Sequence, residues 1–481
     1  MDAQRGIARR MLVGLPPDGL TAAWERDFSA FPPAGVIVFA RDFRDLDGLR
    51  TLTRRLRDLA RPRRLFITMD EEGGFVSQLS AHLVVPPTAL LLARGATPGD
   101  LERVARITGE RLRALGVDWN LAPVADVHSE PTNPVIGPRA FGDDPAAVGR
   151  AVGETVRGFR AAGVASCLKH FPGHGDTLLD SHHALPRGPA DRDRLESREL
   201  KPFRDNLDAD SIMTAHVVYP ALDPESPATF SKAIVHGLLR EGLGYGGVIV
   251  TDALEMKGAS AGRDPAEPAR LALEAGCDLL LFAFHDEEVR RVRLDLARRL
   301  VGGELDRANF DAARTRLGSL DRNCPPPDDE TLSRPLESLT PPDWVSGLEA
   351  IIERGLEVRG HVPAGATAGP WRVTEPPFAA GASLAADLGA VGVPLDDCSA
   401  SAFEVVAVTT RHALPAEEIE RLRARCRERP VALVGLQNDA FLEHLPEAAL
   451  RISAADATPL TRRVVARALA KALRRAAEAR V

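Results

Sequence analysis

The segment KHFPGHGDTLLDSHHALP (169–186) concentrates groups that can transfer protons. It holds four of the 12 histidines of the chain, together with a lysine and two aspartates. Within it, Asp180 stands two residues before His182. A carboxylate that is hydrogen-bonded to one ring nitrogen fixes the histidine tautomer and raises the pKa of the other nitrogen. The pattern therefore predicts general acid–base chemistry at His182, oriented by Asp180; the alternative is a polar surface loop.

A metal site is the competing interpretation of the same histidines. His170, His174, His182, His183 and His216 could in principle ligate zinc. Zinc sites place their ligands on rigid elements with tight spacing, such as HExxH on a helix, whereas these histidines flank PGHG and a loop. We expect neither a metal nor an organic cofactor.

The elements that would position these residues are short apolar runs alternating with helical patterns. This alternation predicts parallel βαβ units, and eight units favour a (β/α)₈ TIM barrel over an open doubly wound sheet. No GxGxxG motif opens a helix, which also disfavours the open sheet. The runs are 11–15, 35–40, 65–70, 117–124, 165–171, 211–216, 247–252 and 278–283.

Titratable residues follow several of these runs. Active sites of such barrels lie at the carboxyl ends of the strands, so the positions of these residues predict one shared pocket. Asp252 ends the run VIVTD and is a candidate nucleophile; an ordinary strand-end cap is the alternative. The titratable residues at strand ends are Asp70, Asp126, Lys169, His170, His216 and Asp252.

The composition of the C-terminal part predicts a second unit. With 481 residues the chain is long enough for two domains. We expect the barrel over residues 1–323, a Pro/Asp-rich linker over 324–344, and a small α/β sandwich-like accessory domain over 345–481. That domain has no cluster of catalytic residue types, so a structural or dimerising role is expected; the oligomeric state stays open.

Charge and cysteine content exclude several classes of protein. The net charge of −7 and a pI near 6.0 leave no basic surface for nucleic acid or anionic membranes. Five scattered cysteines argue against a disulfide framework. The N-terminal residues have no apolar signal region, and no apolar run approaches the roughly 18 residues of a membrane span. We expect a cytoplasmic protein.

Several motifs together resemble a known family. KHFPGHG followed by DSH resembles the signature of glycoside hydrolase family 3, in its β-N-acetylglucosaminidase branch. Further similar segments are MDEEGG (69–74), NLAPVADV (120–127), PVIGPRAFGDDP (134–145), IMTAHVVYPALD (212–223) and GVIVTDALEM (247–256). They occur in family order from the N-terminus to about residue 320.

The resemblance implies a retaining mechanism. Asp252 would attack the anomeric carbon and form a covalent glycosyl-enzyme. His182, oriented by Asp180, would protonate the leaving oxygen and later deprotonate water. Most retaining glycosidases use two carboxylates instead. A neutral imidazole beside an anionic nucleophile avoids the repulsion that a second carboxylate would add.

The resemblance also implies a set of sugar-binding residues. Asp70, Arg139, Lys169 and His170 match positions that hold the hydroxyl groups of the sugar, and His216 is expected to line the pocket. The chain departs from the family pattern at Phe75 and Gln78, where arginines are usual. We expect altered recognition at that end of the sugar ring.

The expected function is exo-acting hydrolysis of terminal β-linked GlcNAc, from peptidoglycan-derived muropeptide fragments. A β-glycosidase of broader specificity and a β-GlcNAc phosphorylase of the same family are enzymatic alternatives. A catalytically dead sugar-binding barrel is the non-enzymatic alternative. The complete set of Asp252, Asp180 and His182 argues against that last interpretation.

Overall fold

The strands of the chain fall into two groups, separated at about residue 300. The computed structural model describes residues 2–178, 185–260, 262, 264–364, 366, 370–375, 383–396, 403–410 and 412–478. The strands are β1 (Met11–Val13), β2 (Gly35–Ile37), β3 (Phe66–Met69), β4 (Trp119–Asn120), β5 (Cys167–Phe171), β6 (Ser211–Thr214), β7 (Val218–Tyr219), β8 (Asp223–Pro227), β9 (Val248–Thr251), β10 (Leu280–Phe282), β11 (Glu357–Gly360), β12 (Trp371–Thr374), β13 (Phe403–Thr410), β14 (Val431–Gln437) and β15 (Leu450–Ser453).

Each of the eight apolar runs contains one strand, and these strands form two parallel sheets. One sheet has the order β10-β1-β2-β3-β4 and the other the order β5-β6-β9. Isolated parallel bridges join Trp119 to Ala165 and Val250 to Leu279, between the two sheets. The predicted α/β fold with parallel sheets is confirmed. The strand order gives two separate sheets and does not by itself confirm the closed barrel that the sequence predicts.

Helices separate the strands of the first group, as the periodicity predicts. Their starts carry local signals: the Asp144 side chain accepts a hydrogen bond from Ala146 N, with Pro145 in the first turn. The α-helices are α1 (Asp2–Ala8), α2 (Ala22–Ala30), α3 (Leu46–Ala60), α4 (Ala89–Gly95), α5 (Asp100–Ala114), α6 (Pro145–Ala161), α7 (Arg192–Arg194), α8 (Lys201–Arg204), α9 (Lys257–Ser260), α10 (Ala266–Ala275), α11 (Glu287–Gly302), α12 (Arg307–Asn323), α13 (Asp329–Leu332), α14 (Trp344–Gly355), α15 (Leu384–Ala390), α16 (Ala416–Glu428) and α17 (Pro459–Glu478). Two π-helical segments, Leu195–Glu199 and Ala233–Gly242, also belong to the N-terminal half.

The C-terminal strands form a separate mixed sheet. Its order is β11-β15-β14-β13-β12, and the edge strand β11 runs antiparallel to β15 while the other pairs are parallel. Trp371 and Phe403 are fully buried in its core. Their rings lie 4.6 Å apart, within the range of favourable aromatic pairs.

The segment 324–344 is held against the N-terminal half. Arg50 Nη2 donates to the carbonyl of Arg334 at 2.6 Å, and Trp344 Nε1 donates to the carbonyl of Val84 at 2.8 Å. Helices α14 and α17 also contact the N-terminal half, since Ile352 and Leu460 belong to the hydrophobic core that contains its strands. The proposed domain boundaries stay a prediction.

Helices α4 and α14 approach so closely that a glycine is needed between them. A Cβ atom at Gly95 would lie 1.9 Å from the carbonyl oxygen of Ile351. We expect Gly95→Ala to lower the free energy of unfolding by about 1–3 kcal/mol, because the two helices must separate. Urea denaturation followed by circular dichroism measures the change.

Gly6→Ala is the matched control, since Gly6 also lies in a helix and a Cβ there would meet nothing within 4 Å. That substitution should raise the free energy of unfolding by about 0.5–1 kcal/mol, because alanine loses less conformational entropy on folding. Equal effects of the two substitutions would contradict the tight contact between α4 and α14.

Candidate active site

A pocket of about 690 Å³ lies at the carboxyl ends of the strands. This volume is in the range of sites for small organic ligands. Five of the residues predicted from the sequence line it: Asp70, Arg139, Lys169, His170 and Asp252. A smaller cavity of about 40 Å³, lined by Glu71 among others, adjoins the pocket and shares Glu72 and Arg139 with it.

Four charged side chains form a network in this pocket. Lys169 Nζ lies 2.7 Å from Asp70 Oδ1 and 2.6 Å from Glu72 Oε1. Arg139 binds Glu72 through two hydrogen bonds, Nε to Oε2 at 2.9 Å and Nη2 to Oε1 at 2.8 Å. Glu72 was not among the residues predicted from the sequence, although it stands two residues after Asp70 in MDEEGG.

Burial and charge oppose each other in this network, and charge prevails. Burial alone would raise the pKa of Glu72, but the Arg139 and Lys169 charges hold that pKa well below its usual range. Burial would lower the pKa of Lys169, and the Asp70 and Glu72 carboxylates raise it instead. Glu72 is therefore a carboxylate, and Lys169 an ammonium, at neutral pH.

His170 is oriented by a buried carboxylate. Its Nδ1 donates to Asp126 Oδ2 at 2.7 Å, and Asp126 Oδ1 accepts from the backbone N–H groups of His170 and His174 at 3.1 and 2.7 Å. This arrangement fixes the tautomer, so that Nε2 is the ring nitrogen that can contact a ligand. Asp126 thus acts through His170.

His174 also lines the pocket, but the loop engages its ring. Thr177 Oγ1 is hydrogen-bonded to its Nδ1 at 2.7 Å. Burial, reinforced by the neighbouring His170, lowers the pKa of His174 to about 4. The ring is therefore neutral at physiological pH and braces the turn 172–177.

Asp252 follows β9 directly and faces the pocket. Its Oδ1 accepts from Ala253 N at 2.7 Å, which fixes the orientation of the carboxylate. A fixed carboxylate at a strand end is suited to attack on an electrophilic carbon.

His216 is buried against the backbone of Ala253, next to Asp252. It is not one of the residues that line the pocket, where the sequence predicted it. Its Nδ1 is 2.9 Å from Thr229 Oγ1, and its Nε2 is 3.0 Å from the carbonyl oxygen of Ala253. With both ring nitrogens engaged and the side chain buried, His216 supports the backbone beside Asp252.

Comparisons with known proteins identify the family. The sequence model of the glycosyl hydrolase family 3 N terminal domain matches residues 29–320, more than half of the chain. The chain belongs to glycosyl hydrolase family 3. The family and the enzyme class that the sequence predicts are thus confirmed.

Individual members of the family extend this finding. A β-hexosaminidase A from Pseudoalteromonas piscicida is 35% identical over 348 residues, which are 66% of this chain but only 57% of that protein. A β-hexosaminidase from Alkalilimnicola ehrlichii is 39% identical over 292 residues, 59% of this chain and 82% of that protein. A family 3 β-N-acetylglucosaminidase from Paenibacillus sp. superposes with a TM-score of 0.89 at 28% identity, covering 97% of this chain and 96% of that one.

The departures of this family 3 chain at residues 75 and 78 have structural consequences. Gln78 accepts from Ala40 N at 2.9 Å and donates to the carbonyl of Asp70 at 3.3 Å. It therefore joins two strand-end loops and is not a lining residue of the pocket. Phe75 lines the pocket and makes that part of the wall apolar.

The predicted acid–base residues Asp180 and His182 lie outside the described residues. The turn 172–178, which precedes them in the sequence, is held by a side chain of the π-helical segment Leu195–Glu199. Arg198 binds Asp176 through Nη2 at 3.0 Å and also binds Glu199. Burial raises the pKa of Glu199 to about 7. Arg198 and Glu199 had no signal in the sequence because neither stands in a motif.

Neither a metal cluster nor a membrane helix is found in the part of the chain that the structure describes. Among those residues, no three or more His, Cys, Asp or Glu side chains converge on a point suited to a metal ion. None of the described helices combines the length and the apolar character needed to span a membrane.

The charge network predicts a pH-dependent difference in stability. We expect Glu72→Gln to lower the free energy of unfolding by about 3–5 kcal/mol at pH 7, because Arg139 loses its carboxylate. The folded-state pKa of Glu72 is depressed, so its contribution is present above about pH 4.5, its unperturbed value, and is lost as the pH falls below it. Thermal unfolding of both proteins between about pH 7 and pH 3 measures this.

The difference between wild type and variant should stay constant down to about pH 5 and then shrink. Glu225→Gln removes an exposed carboxylate and serves as the control, with no such trend expected. A difference that grows on acidification would contradict the assigned charge state of Glu72.

Proposed function

We propose that this chain is an exo-acting, retaining β-N-acetylglucosaminidase that hydrolyses terminal β-linked GlcNAc. The observation that carries the proposal is the position of Asp252 in one pocket with the network of Asp70, Glu72, Arg139 and Lys169. A nucleophilic carboxylate faces a set of hydroxyl-binding charges there. The names of the related β-hexosaminidases and of the Paenibacillus enzyme support the choice of sugar.

The chemical steps follow double displacement. Asp252 attacks the anomeric carbon, a carboxylate oxygen–carbon bond forms, and the glycosidic bond breaks while His182 donates its proton to the leaving oxygen. Water then attacks the same carbon from the opposite side, His182 takes its proton, and the bond to Asp252 breaks. Asp180 would orient His182, as the sequence predicts.

The pocket floor supplies the contacts to the sugar. Asp70 can accept hydrogen bonds from hydroxyl groups, while Lys169 Nζ and His170 Nε2 can donate them. Charged groups of this kind discriminate between sugars, because a missing hydroxyl leaves them unpaired in a buried site. The charge network keeps them rigid, which favours orientation of the sugar over Asp252.

We also infer that the two parallel sheets of the catalytic half close into one (β/α)₈ barrel. One bridge joins Trp119 of β4 to Ala165, two residues before β5 begins. The other joins Val250 of β9 to Leu279, the residue before β10. Eight strands with bridges at both junctions support a ring. Closure would bring all the strand ends to one pocket mouth.

The acceptor in the second step is proposed to be water. Both cations among the described lining residues, Arg139 and Lys169, are bound to carboxylates. A phosphate dianion needs cationic or N–H partners to be bound, and the Asp252 carboxylate would repel it. The broader setting, peptidoglycan-derived fragments in the cytoplasm, is proposed on the resemblance alone.

The nucleophile is tested with 4-nitrophenyl β-GlcNAc. We expect the wild-type chain to release 4-nitrophenol, and Asp252→Asn to lower kcat by at least about 10³-fold, because an amide cannot form the glycosyl ester. Asp47→Asn, at an exposed helix position, is the control that should leave turnover unchanged. Turnover by Asp252→Asn at the wild-type rate would exclude the assigned nucleophile.

The same assay with 4-nitrophenyl β-glucoside tests the sugar. A GlcNAc enzyme should prefer the acetamido compound, whereas equal or greater turnover of the glucoside would move the function to the broader β-glycosidase.

The acceptor is tested by product analysis in phosphate buffer. Mass spectrometry should find free GlcNAc, with a rate independent of phosphate concentration, because the pocket cations are already paired. GlcNAc-1-phosphate as the main product, rising with phosphate concentration, would establish the phosphorylase instead.

A further inference from the structure

One residue of the C-terminal sheet reaches the pocket of the catalytic half. Among the described residues that line the pocket, His412 follows β13, while all the others lie between Ile37 and Phe284. The C-terminal unit therefore supplies part of the pocket wall, beyond the structural role that the sequence predicts for it.

Hydrogen bonds across the two halves fix the position of His412. Its backbone N–H donates to Thr410 Oγ1 at 3.1 Å, and that hydroxyl donates to the His412 carbonyl at 2.8 Å. Asn438 N donates to the Thr410 carbonyl at 2.8 Å. The Asn438 side chain in turn donates to the carbonyl of Pro131 at 3.4 Å. Through Thr410 and Asn438, His412 is thus linked to the catalytic half.

A hydrogen bond and an ion pair of Arg94 hold neighbouring strand ends of the C-terminal sheet. Arg94 of the catalytic half donates to Ser453 Oγ at 2.7 Å and lies 3.3 Å from Asp439 Oδ2. Ser453 ends β15 and Asp439 follows β14, so two strand ends besides that of β13 are anchored. His412 is held by a fixed support and not by an isolated loop.

The depth of the pocket decides which part of a substrate His412 would meet. Lys169 and His170 are 3% and 5% exposed and form the floor. His412 is exposed, as is Phe284 at 39%, so these two residues stand at the mouth. An exo-acting enzyme takes the terminal sugar into the closed end, and the leaving group then points towards the mouth.

The mouth offers both apolar and polar contacts. The Arg41 guanidinium lies 4.2 Å from the ring centre of Phe39 and 4.5 Å from that of Phe284, which stiffens the aromatic side. On the other side, an imidazole both donates and accepts hydrogen bonds. An apolar face with a hydrogen-bonding group near it suits a sugar ring, which has C–H faces and hydroxyl edges.

We propose that His412 binds a hydroxyl-bearing leaving group, a second sugar ring, at the mouth of the pocket. The C-terminal unit thereby selects substrates by what the terminal sugar is attached to. This inference rests on the proposed function, because it assigns the mouth to the leaving side of the glycosidic bond.

The test compares two substrates in the full-length chain. One is the β-1,4-linked GlcNAc disaccharide and the other is 4-nitrophenyl β-GlcNAc, whose leaving group has no sugar hydroxyls. We expect His412→Ala to lower the ratio of kcat/KM for the disaccharide to that for the aryl compound about three- to tenfold, the value of one hydrogen bond. His361→Ala, at an exposed position of the same unit, should leave the ratio unchanged.

The outcomes separate the inference from the proposed function. A ratio within twofold of wild type, or an equal fall for both substrates, overturns the leaving-group contact. If the wild type hydrolyses neither compound, the proposed function fails. In that case, calorimetry with the Asp252→Asn chain tests the contact of His412 with the second sugar. The disaccharide should bind more tightly than GlcNAc. Adding His412→Ala should remove that difference in affinity. Equal affinity for the two sugars would overturn it.

Discussion

The pocket depends on one interaction, the contact of Lys169 with Asp70 and Glu72, which Arg139 completes. Asp70 and Glu72 follow β3, Lys169 lies within β5, and Arg139 belongs to the segment 134–145. A single buried charge among them would be strongly unfavourable, whereas paired charges with hydrogen bonds are tolerated. The network therefore links distant segments, because the departure of any one of them would leave the remaining buried charges unbalanced.

The same principle extends around the pocket in layers. Asp126 holds His170, Thr177 holds His174, and the carbonyl of Ala253 holds His216. His170 and His174, which line the pocket, are thus fixed by buried partners, while His216 supports the backbone beside Asp252. Side chains fixed in this way are what preorganised recognition of a ligand requires. The C-terminal sheet continues the arrangement at the mouth, where Arg94 and Asn438 anchor the strand ends beside His412.

Much of this could be predicted because it is local in the sequence. Apolar runs bury themselves as parallel strands, and strand ends in parallel sheets share one edge. From the order of residues along the chain, that reasoning places Asp70, Lys169, His170 and Asp252 in one pocket. It placed His216 at the pocket wall, whereas the ring is engaged by Thr229 and the carbonyl of Ala253, because strand-end position does not tell which way a ring turns.

The sequence by itself determined the alternation of strands and helices, the residue types at the strand ends, and the motifs that identify the family. Only the tertiary structure decided how those residues pair. Glu72 binds both Lys169 and Arg139, Gln78 bridges Ala40 and Asp70, and His412 reaches a pocket built more than a hundred residues earlier. The physical reason is that periodicity reports burial along one segment, whereas hydrogen bonds and ion pairs depend on which segments meet in space.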